Sequence, residues 1–571
     1  MTSKLYTGVI IMALLFSVLE KTWAQSPNWL WAHSIGGDWY DIGTSIAVDQ
    51  ESGDIFTTGY FYVTADFDTG PGIFNLTTAA YGAFISKTDS EGNFIWSKGL
   101  SGTGYSSGDY IALVQSANGS VYTLGEFSGT IDFDPGPDIY SLTSDGAQST
   151  FMLKLNLDGE FIWVKTFTIV SSDAVTDNSI ALDPSGSGEV YFNCGSFSTK
   201  LDSSGNVLWT RTIGGDGNSG VTTKSIAFDP STDGGVYTTG EFYGTIDFNP
   251  GEEVYNITTT GNKEIFISKL NSDGNFVWAI SMKGENDESR ASGTSIAIDP
   301  SENGGIYTTG NFWKSADFNP GDDTFNLTEG GIFISKLDSH GQFIWAKSLK
   351  GTDGFNTGYS MAIDHSSNGD IYITGLFMGK VDFDPGSEEF NINTVGLMNS
   401  FLSKLDSSGN FIWVKTMSGF PPRLSAGLSV ALDHEGYAHL TGYFNSASFA
   451  FDSIMVTNAD GEDPGQDGIT NDIFIAKLNT LSPSPVADSK SIPLMLSPNP
   501  TKDKIEIEYE NVELQNALIT VYNLAGELLF SVQNEVNENK VTIDISALAS
   551  GIYFIQLEMN GNCVIEKVIK E

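Results

Sequence analysis

The chain reads as an all-β protein, a closed seven-bladed β-propeller followed by a small C-terminal β-sandwich. Two observations predict the ring. A motif close to FISKLDSSGNFIWAKSL recurs at intervals of roughly 67 residues in most copies, and its tryptophans are Trp31, Trp96, Trp163, Trp209, Trp278, Trp345 and Trp413. Its first half, FxxKL, recurs in its own right at Phe84, Phe151, Phe197, Phe266, Phe333, Phe401 and Phe474. The two series are offset: Trp31 has no FxxKL before it and Phe474 has no tryptophan after it. A linear stack would leave both ends unfinished. A ring lets the N-terminal strand complete the last blade, which is how propellers close.

Each repeat carries four strand signals bounded by Gly, Asp, Asn and Ser. In the first repeat they are Ser45–Asp49, Ile55–Gly59, Phe84–Lys87 and Phe94–Lys98; in the fifth, Ser295–Asp299, Ile306–Gly310, Phe333–Leu337 and Phe343–Lys347. Small residues dominate the first strand, as expected near a crowded axis. The turn Asp406–Asn410 has hairpin chemistry, since Gly and Asn tolerate positive φ. Up-and-down strands place the short turns on one face. The blade-to-blade loops and the insertions between second and third strands are expected on the other, where a site would lie. The N-x-Thr triplets at Asn75, Asn256 and Asn326 read as strands of those insertions. The third repeat departs from the rest: Tyr191–Gly195 runs straight into Phe197–Leu201 with no insertion, which is either an access notch or a neutral deletion.

With 71 acidic against 28 basic residues the formal charge is -43. Repulsion from phosphates excludes a nucleic-acid partner, whereas cations, neutral glycans or plain solubility all suit such a surface. Residues 1–24 have the form of a signal peptide: Lys4, the apolar run Val9 to Leu19, then Thr22-Trp23-Ala24 before Gln25. After its removal no segment is long and apolar enough to be a transmembrane helix. Cys194 and Cys563 are the two cysteines, so a disulfide framework is not expected and an exported chain must rely on its core.

The repeats occupy residues 25–480, a polar linker rich in Ser and Pro covers 481–493, and a separate β unit covers 494–571. This last unit has Ser497-Pro498-Asn499-Pro500, then Val521-Tyr522-Asn523-Leu524-Ala525-Gly526, Ile543-Asp544-Ile545-Ser546-Ala547-Leu548, Gly551-Ile552-Tyr553 and a final Lys567-Val568-Ile569-Lys570. In that order these resemble the C-terminal sorting domain of the type IX secretion system. The resemblance implies export by that machinery across the outer membrane of a Gram-negative cell, usually with removal of the domain, and then release or attachment at the cell surface. The repeats resemble those of secreted bacterial seven-bladed propeller proteins, as at Ser295-Ile296-Ala297-Ile298-Asp299 and Tyr307-Thr308-Thr309-Gly310, with Val114 departing at the strand-end aspartate of blade two. Such repeats imply a fold and no single activity.

The insertions share a further motif, Asp-Phe-Asp/Asn, mostly followed by Pro-Gly. Residues i and i+2 of an extended segment face the same way, so Asp132 with Asp134 and Asp382 with Asp384 are candidate metal ligands. In blade seven Asp460 and Glu462, at alternate positions like the opening of a calcium loop, are a third pair. Oxygen ligands on loops suit calcium, the candidate ion; ordinary turn capping is the competing reading. Lysines recurring once per blade (Lys87 to Lys477) read as structural or solvated, as do the seven tryptophans as interface filler. No catalytic constellation emerges: Gly104–Gly108 satisfies GxSxG without a strand-to-helix elbow. The sequence therefore points to a secreted or cell-surface binding module for carbohydrate or another surface polymer. Its alternatives are a polysaccharide-degrading hydrolase or lyase on the loop face, and a structural envelope or matrix component.

Overall fold

Third strands such as Gly331–Leu337 and Asn399–Leu405 are buried at every position, because both faces of each sheet are covered by a neighbouring sheet. Outer strands such as Phe161–Thr168 alternate instead between partly buried and exposed residues, with Val164 alone fully buried. The computed structural model describes residues 27–480 apart from short internal stretches, the longest being 169–177 and 460–469, and most of 494–570. Its strands form two compact units, Met1–Ser482 and Pro483–Glu571.

Among the described residues the main strands of the first unit fall into seven antiparallel groups of four, arranged as propeller blades. Blade one is Ile42–Val48, Ile55–Asp66, Asn75–Thr88 and Phe94–Gly99; blade three, the one with the shortest strands, is Ser179–Leu182, Val190–Cys194, Phe197–Leu201 and Val207–Thr212. Blade seven consists of Ser425–Leu432, Ala438–Phe444 and Asp472–Asn479, and its outer strand is the N-terminal Asn28–Gly37. The register shows how faithfully the first strand fills that place. Trp31 stands opposite Lys477, as Trp96 stands opposite Lys87 and Trp163 opposite Lys154 inside continuous blades. The expected circular closure is thus borne out at the level of individual pairs.

Each motif tryptophan reaches into the following blade. The indole N–H of Trp96 donates to the Leu157 carbonyl at 3.3 Å and that of Trp209 to the Ser272 carbonyl at 3.1 Å. The same rings lie against hairpin glycines Gly159 and Gly274, whose positive φ and lack of a Cβ make room for them. Trp31 does this across the closure, donating to Ser90 of blade one. Nearer the axis a serine hydroxyl accepts the amide N–H of the next blade: Ser45 from Ile111, Ser179 from Ile226, Ser225 from Ile296, Ser295 from Met361, Ser360 from Val430 and Ser429 from Ile46. Blade two has Tyr110 at this position, so the boundary between blades two and three has a side-chain hydrogen bond between Tyr110 and Ser179 in place of the serine-to-amide bond. Asn178 donating to Asp109 at 2.6 Å, and the ring pair Phe167 and Phe192 at 4.8 Å, bridge it as well.

The insertions differ from the expectation that they crowd the loop face. The ribbon of blade one is a continuation of strands two and three, bent at Val63, which has a φ of 58. Its edge pairs with the end of the preceding blade's outer strand, Gly36 with Asp66 and Gly37 with Ala65. Its tip turns back down the rim, where Thr69 donates to the Gly92 carbonyl of the third-to-fourth hairpin. Equivalent ribbons latch the junctions at Ser101, Gly214, Lys283, Lys350 and Ser418. Bending is fixed by aromatic anchors: Phe318 is fully buried with ring centroids 5.5 Å from Phe312 and 4.9 Å from Phe333, and Phe325 packs on Phe343 at 4.9 Å.

The second unit pairs a three-stranded sheet (Leu494–Ser497, Lys504–Tyr509, Lys540–Asp544) with a four-stranded one (Leu528–Asn534, Ala517–Asn523, Gly551–Met559, Asn562–Lys570). Ile505, Ile507, Ile519, Val521, Ile543 and Ile555 form its core. Alternation within Lys504–Tyr509 puts Ile505 and Ile507 on one face, which is why this segment can bury a single side.

Candidate ligand-binding groove

The insertion carboxylates are already engaged by backbone. Asp132 Oδ1 accepts the N–H of Asp134 at 3.2 Å and of Tyr140 at 2.8 Å, while Asp134 Oδ1 accepts that of Gly136 at 2.8 Å. Asp382 and Asp384 repeat this with Asp384, Phe390 and Gly386. Among the described residues no group of three or more His, Cys, Asp or Glu side chains is placed to hold a metal. Asp460 and Glu462 lie outside the described residues.

The recurring lysines form a structural layer. In blades one to six the ammonium lies over an aromatic ring of the second strand, as with Lys269 over Tyr237 at 4.9 Å and Lys336 over Tyr307 at 4.7 Å, while Lys477 of blade seven lies over Tyr437 in the turn before that strand. Five of them pair with a carboxylate, and the partner varies: the strand-end Asp229 for Lys269 and Asp433 for Lys477, but Asp54 for Lys87, Glu189 for Lys200 and Asp370 for Lys404, while Lys154 donates to the Ser203 carbonyl.

What breaks the sevenfold pattern is a groove on the loop face of blades three to six. Its largest part, about 740 Å³, is bounded by Trp313 at the end of a second strand, Phe355 and Asn356 in the loop entering blade six, and Glu288, Arg290, Lys314 and Glu329. Trp313 is 52% exposed and Phe355 is 61% exposed. Neither aromatic belongs to the repeat motif. Lys314 and Glu329 on the wall have φ of 67 and 75, strained for side chains with a Cβ. A second chamber of about 340 Å³ shares Arg290, Asn311 and Phe355 with the first and adds Lys224, Glu241 and Lys263. A third, about 530 Å³, shares Glu241 and Lys263 and is walled by Gly195 and Ser196, the point where blade three has no insertion. The missing insertion thus opens one end of the groove.

Electrostatics in the middle chamber centre on Glu241. Burial pushes its carboxyl up, but Lys224 and Lys263 together outweigh this and hold it below the ordinary range. Lys263 is in close ion pair with it and Lys224 stands 4.0 Å away. Glu288 is held low by its hydrogen bond and charge contact with Lys314.

A second aromatic surface lies on blade one. Trp39, 49% exposed, packs edge-on to Tyr62 at 5.7 Å, and Tyr62, Tyr81, Tyr60 and Tyr105 continue the chain of rings. The fully buried Asp41 holds its base by accepting the N–H groups of Gly37 and Tyr62. Trp39 and Trp313 lie outside the seven motif tryptophans, and that departure from the repeat is the signal the sequence carries for both.

Residues 496–571 match the family model of the secretion system C-terminal sorting domain. The chain therefore carries a type IX sorting tail and is a secreted or cell-surface protein. An uncharacterized WD repeat-containing protein of Acanthamoeba polyphaga mimivirus is 27% identical over 214 residues, covering 34% of this chain and 15% of that protein. A funoran endo-beta-hydrolase of Wenyingzhuangia aestuarii is 28% identical over 85 residues, 15% of this chain and 11% of that enzyme. The chain thus matches well under two thirds of either relative's length. Among solved structures, the WD40 domain of Neurospora crassa Pan2 is similar with a TM-score of 0.34 at 10% identity, covering 77% of this chain and 89% of that domain. Among the described residues no helix is long and apolar enough to cross a membrane.

Proposed function

We propose that the protein is an exported binding module whose loop-face groove holds a carbohydrate chain or a similar surface polymer. The observation that carries this is the pairing of two exposed aromatics, Trp313 and Phe355, with the polar groups of Arg290, Asn311 and Asn356 on one wall. Sugar rings offer C–H faces to an aromatic ring and hydroxyls to flanking polar side chains, so both halves of that wall have a partner. The groove opens at blade three, which suits a chain longer than the groove.

A hydrolase on this surface needs a carboxylic acid kept protonated near neutral pH. Glu288 is drawn the opposite way by Lys314. The similarity to a polysaccharide hydrolase covers 11% of that enzyme, and it adds polysaccharide to the ligand classes to be screened. The test is a broad glycan and matrix-polymer array probed with the full chain and with Trp313→Ala. Expected is binding to at least one polymer, weakened about tenfold by the substitution at unchanged Tm. Silence across the array, or equal binding by Trp313→Ala and Phe355→Ala, overturns the reading.

A further inference from the structure

We infer that the groove takes an uncharged polysaccharide, whose sugar rings lie on Trp313 and Phe355 and whose hydroxyls are held by Thr357, Asn311 and the paired charges of the wall. The inference rests on the glycan reading and narrows it to one class of glycan. Among the described residues every carboxylate bordering the groove already faces a nearby cation. Glu288 is in close ion pair with Lys314 and Glu241 with Lys263, while Glu329 lies 3.6 Å from Lys350. Lys224 stands 4.0 Å from the second oxygen of Glu241. Of the cations bordering the chambers, Arg290 alone has no carboxylate partner among the described residues.

An oxyanion entering such a wall has to draw an ammonium away from its carboxylate, and that carboxylate then stands beside it as a like charge. It also approaches a chain of formal charge -43, which repels polyanions well before contact. A sugar hydroxyl meets neither obstacle. It donates to a carboxylate oxygen and accepts from an ammonium or guanidinium, so vicinal hydroxyls bridge an ion pair without separating it. Arg290 borders both the aromatic and the middle chamber and offers its fork of donors to hydroxyl oxygens in each.

Thr357 points to the same class independently of charge. It opens the innermost strand of blade six, is 3% exposed and borders the middle chamber, and its Oγ1 has no hydrogen-bond partner among the described residues. A buried hydroxyl left without a partner is costly, and one on a chamber wall is completed by what enters the chamber. A sugar hydroxyl brings both the donor and the acceptor that Thr357 can use. Asn311, which follows the second-strand glycine of blade five, is half-buried on the wall shared by both chambers and adds an amide with both functions. Phe355 is shared in the same way, so one chain can stack a ring and seat its hydroxyls within a single stretch.

Isothermal titration of the full chain with neutral polymers (dextran, laminarin, galactomannan, xyloglucan) and anionic ones (dextran sulfate, carboxymethyl-dextran, alginate), at low and high salt, tests the inference. Expected is binding of at least one neutral polymer, about tenfold or more tighter than any anionic one, and unmoved by salt because no net charge is neutralised. Thr357→Val removes the unpartnered hydroxyl at nearly constant volume. It should lower that affinity about three- to tenfold while leaving Tm unchanged or raised, which a hydroxyl needed by the scaffold would not do. Asn311→Ala should cost a similar factor. An anionic polymer bound as tightly as the best neutral one, or neutral binding indifferent to both substitutions, overturns the inference; the glycan reading survives either result if binding still depends on Trp313. Silence from both sets also overturns it, and silence across the wider array takes the glycan reading with it.

Discussion

His439 Nε2 lies 3.0 Å from Asp433 Oδ2 inside blade seven, at the position where blades two to six have a tyrosine against the motif tryptophan. Burial pushes the His439 imidazole below its ordinary value of 6.5, with Asp433 opposing and losing. Burial pushes Asp433 up, but His439, the Tyr437 N–H and Lys477 outweigh it and hold the carboxyl low. Lys477 completes the cluster at 3.3 Å.

Stability should therefore fall as pH drops below about 6.5, because the unfolded imidazole takes a proton that the folded one resists. The Asp433 contribution, present above the ordinary carboxylate range, is lost only at still lower pH. His33, also lowered by burial, adds to the first loss. Replacing His439 with tyrosine, as in the neighbouring blades, should flatten Tm between pH 7 and 5; an unchanged slope assigns that slope to other groups.

Blade three should open before its neighbours. Among the described residues it has short strands, no ribbon latching it to blade two, and no serine-to-amide bond across that boundary. Cys194, fully buried in blade three with its thiol pushed up to about 12 by burial, is a built-in reporter. In a Cys563→Ser background, thiol labelling should proceed at subdenaturing urea well below the midpoint for Trp fluorescence. Coincident midpoints would show that the ring opens as one body.

Phe318→Ala removes a fully buried ring that anchors the ribbon of blade five, and a loss of about 3–5 kcal/mol is expected in urea titrations. Trp313→Ala, exposed on the groove, should cost well under 1 kcal/mol. The contrast separates scaffold aromatics from ligand-facing ones.

Asp382 Oδ1 is taken by two backbone N–H groups. Loss of that acceptor in Asp382→Ala should cost about 1–3 kcal/mol. Chelator should leave Tm unchanged if turn capping is the whole role of the motif. A rise in Tm with added calcium, abolished in Asp382→Ala, would instead assign a cation to Asp382 and Asp384.

The ring was legible because the repeat encodes it redundantly. The offset between Trp31 and Phe474 sufficed to place the N-terminal strand in blade seven, and the register confirms it pair by pair. The course of the insertions was not legible. Bending at Val63 and anchoring by Phe67 depend on which side chains meet after the sheet folds, and alternation along the strand is silent on that. The groove escaped for the same reason. Lys224, Lys263 and Arg290 are scattered over blades four and five, and nothing in their spacing shows that the ring draws them to one mouth.

Closure by residues 28–37 also sets a clock and a tolerance. The strand made first can find its partner, Asp472–Asn479, only when nearly all of the ring has been produced, so blade seven is completed by the most distant pairing in the unit. Until then both strands present bare edges, the state most open to mispairing and proteolysis. Trimming is equally unforgiving. With processing after Ala24, as the sequence predicts, three residues would precede Asn28, and a cut a few positions further on would unfasten the ring while sparing nearly all of its mass.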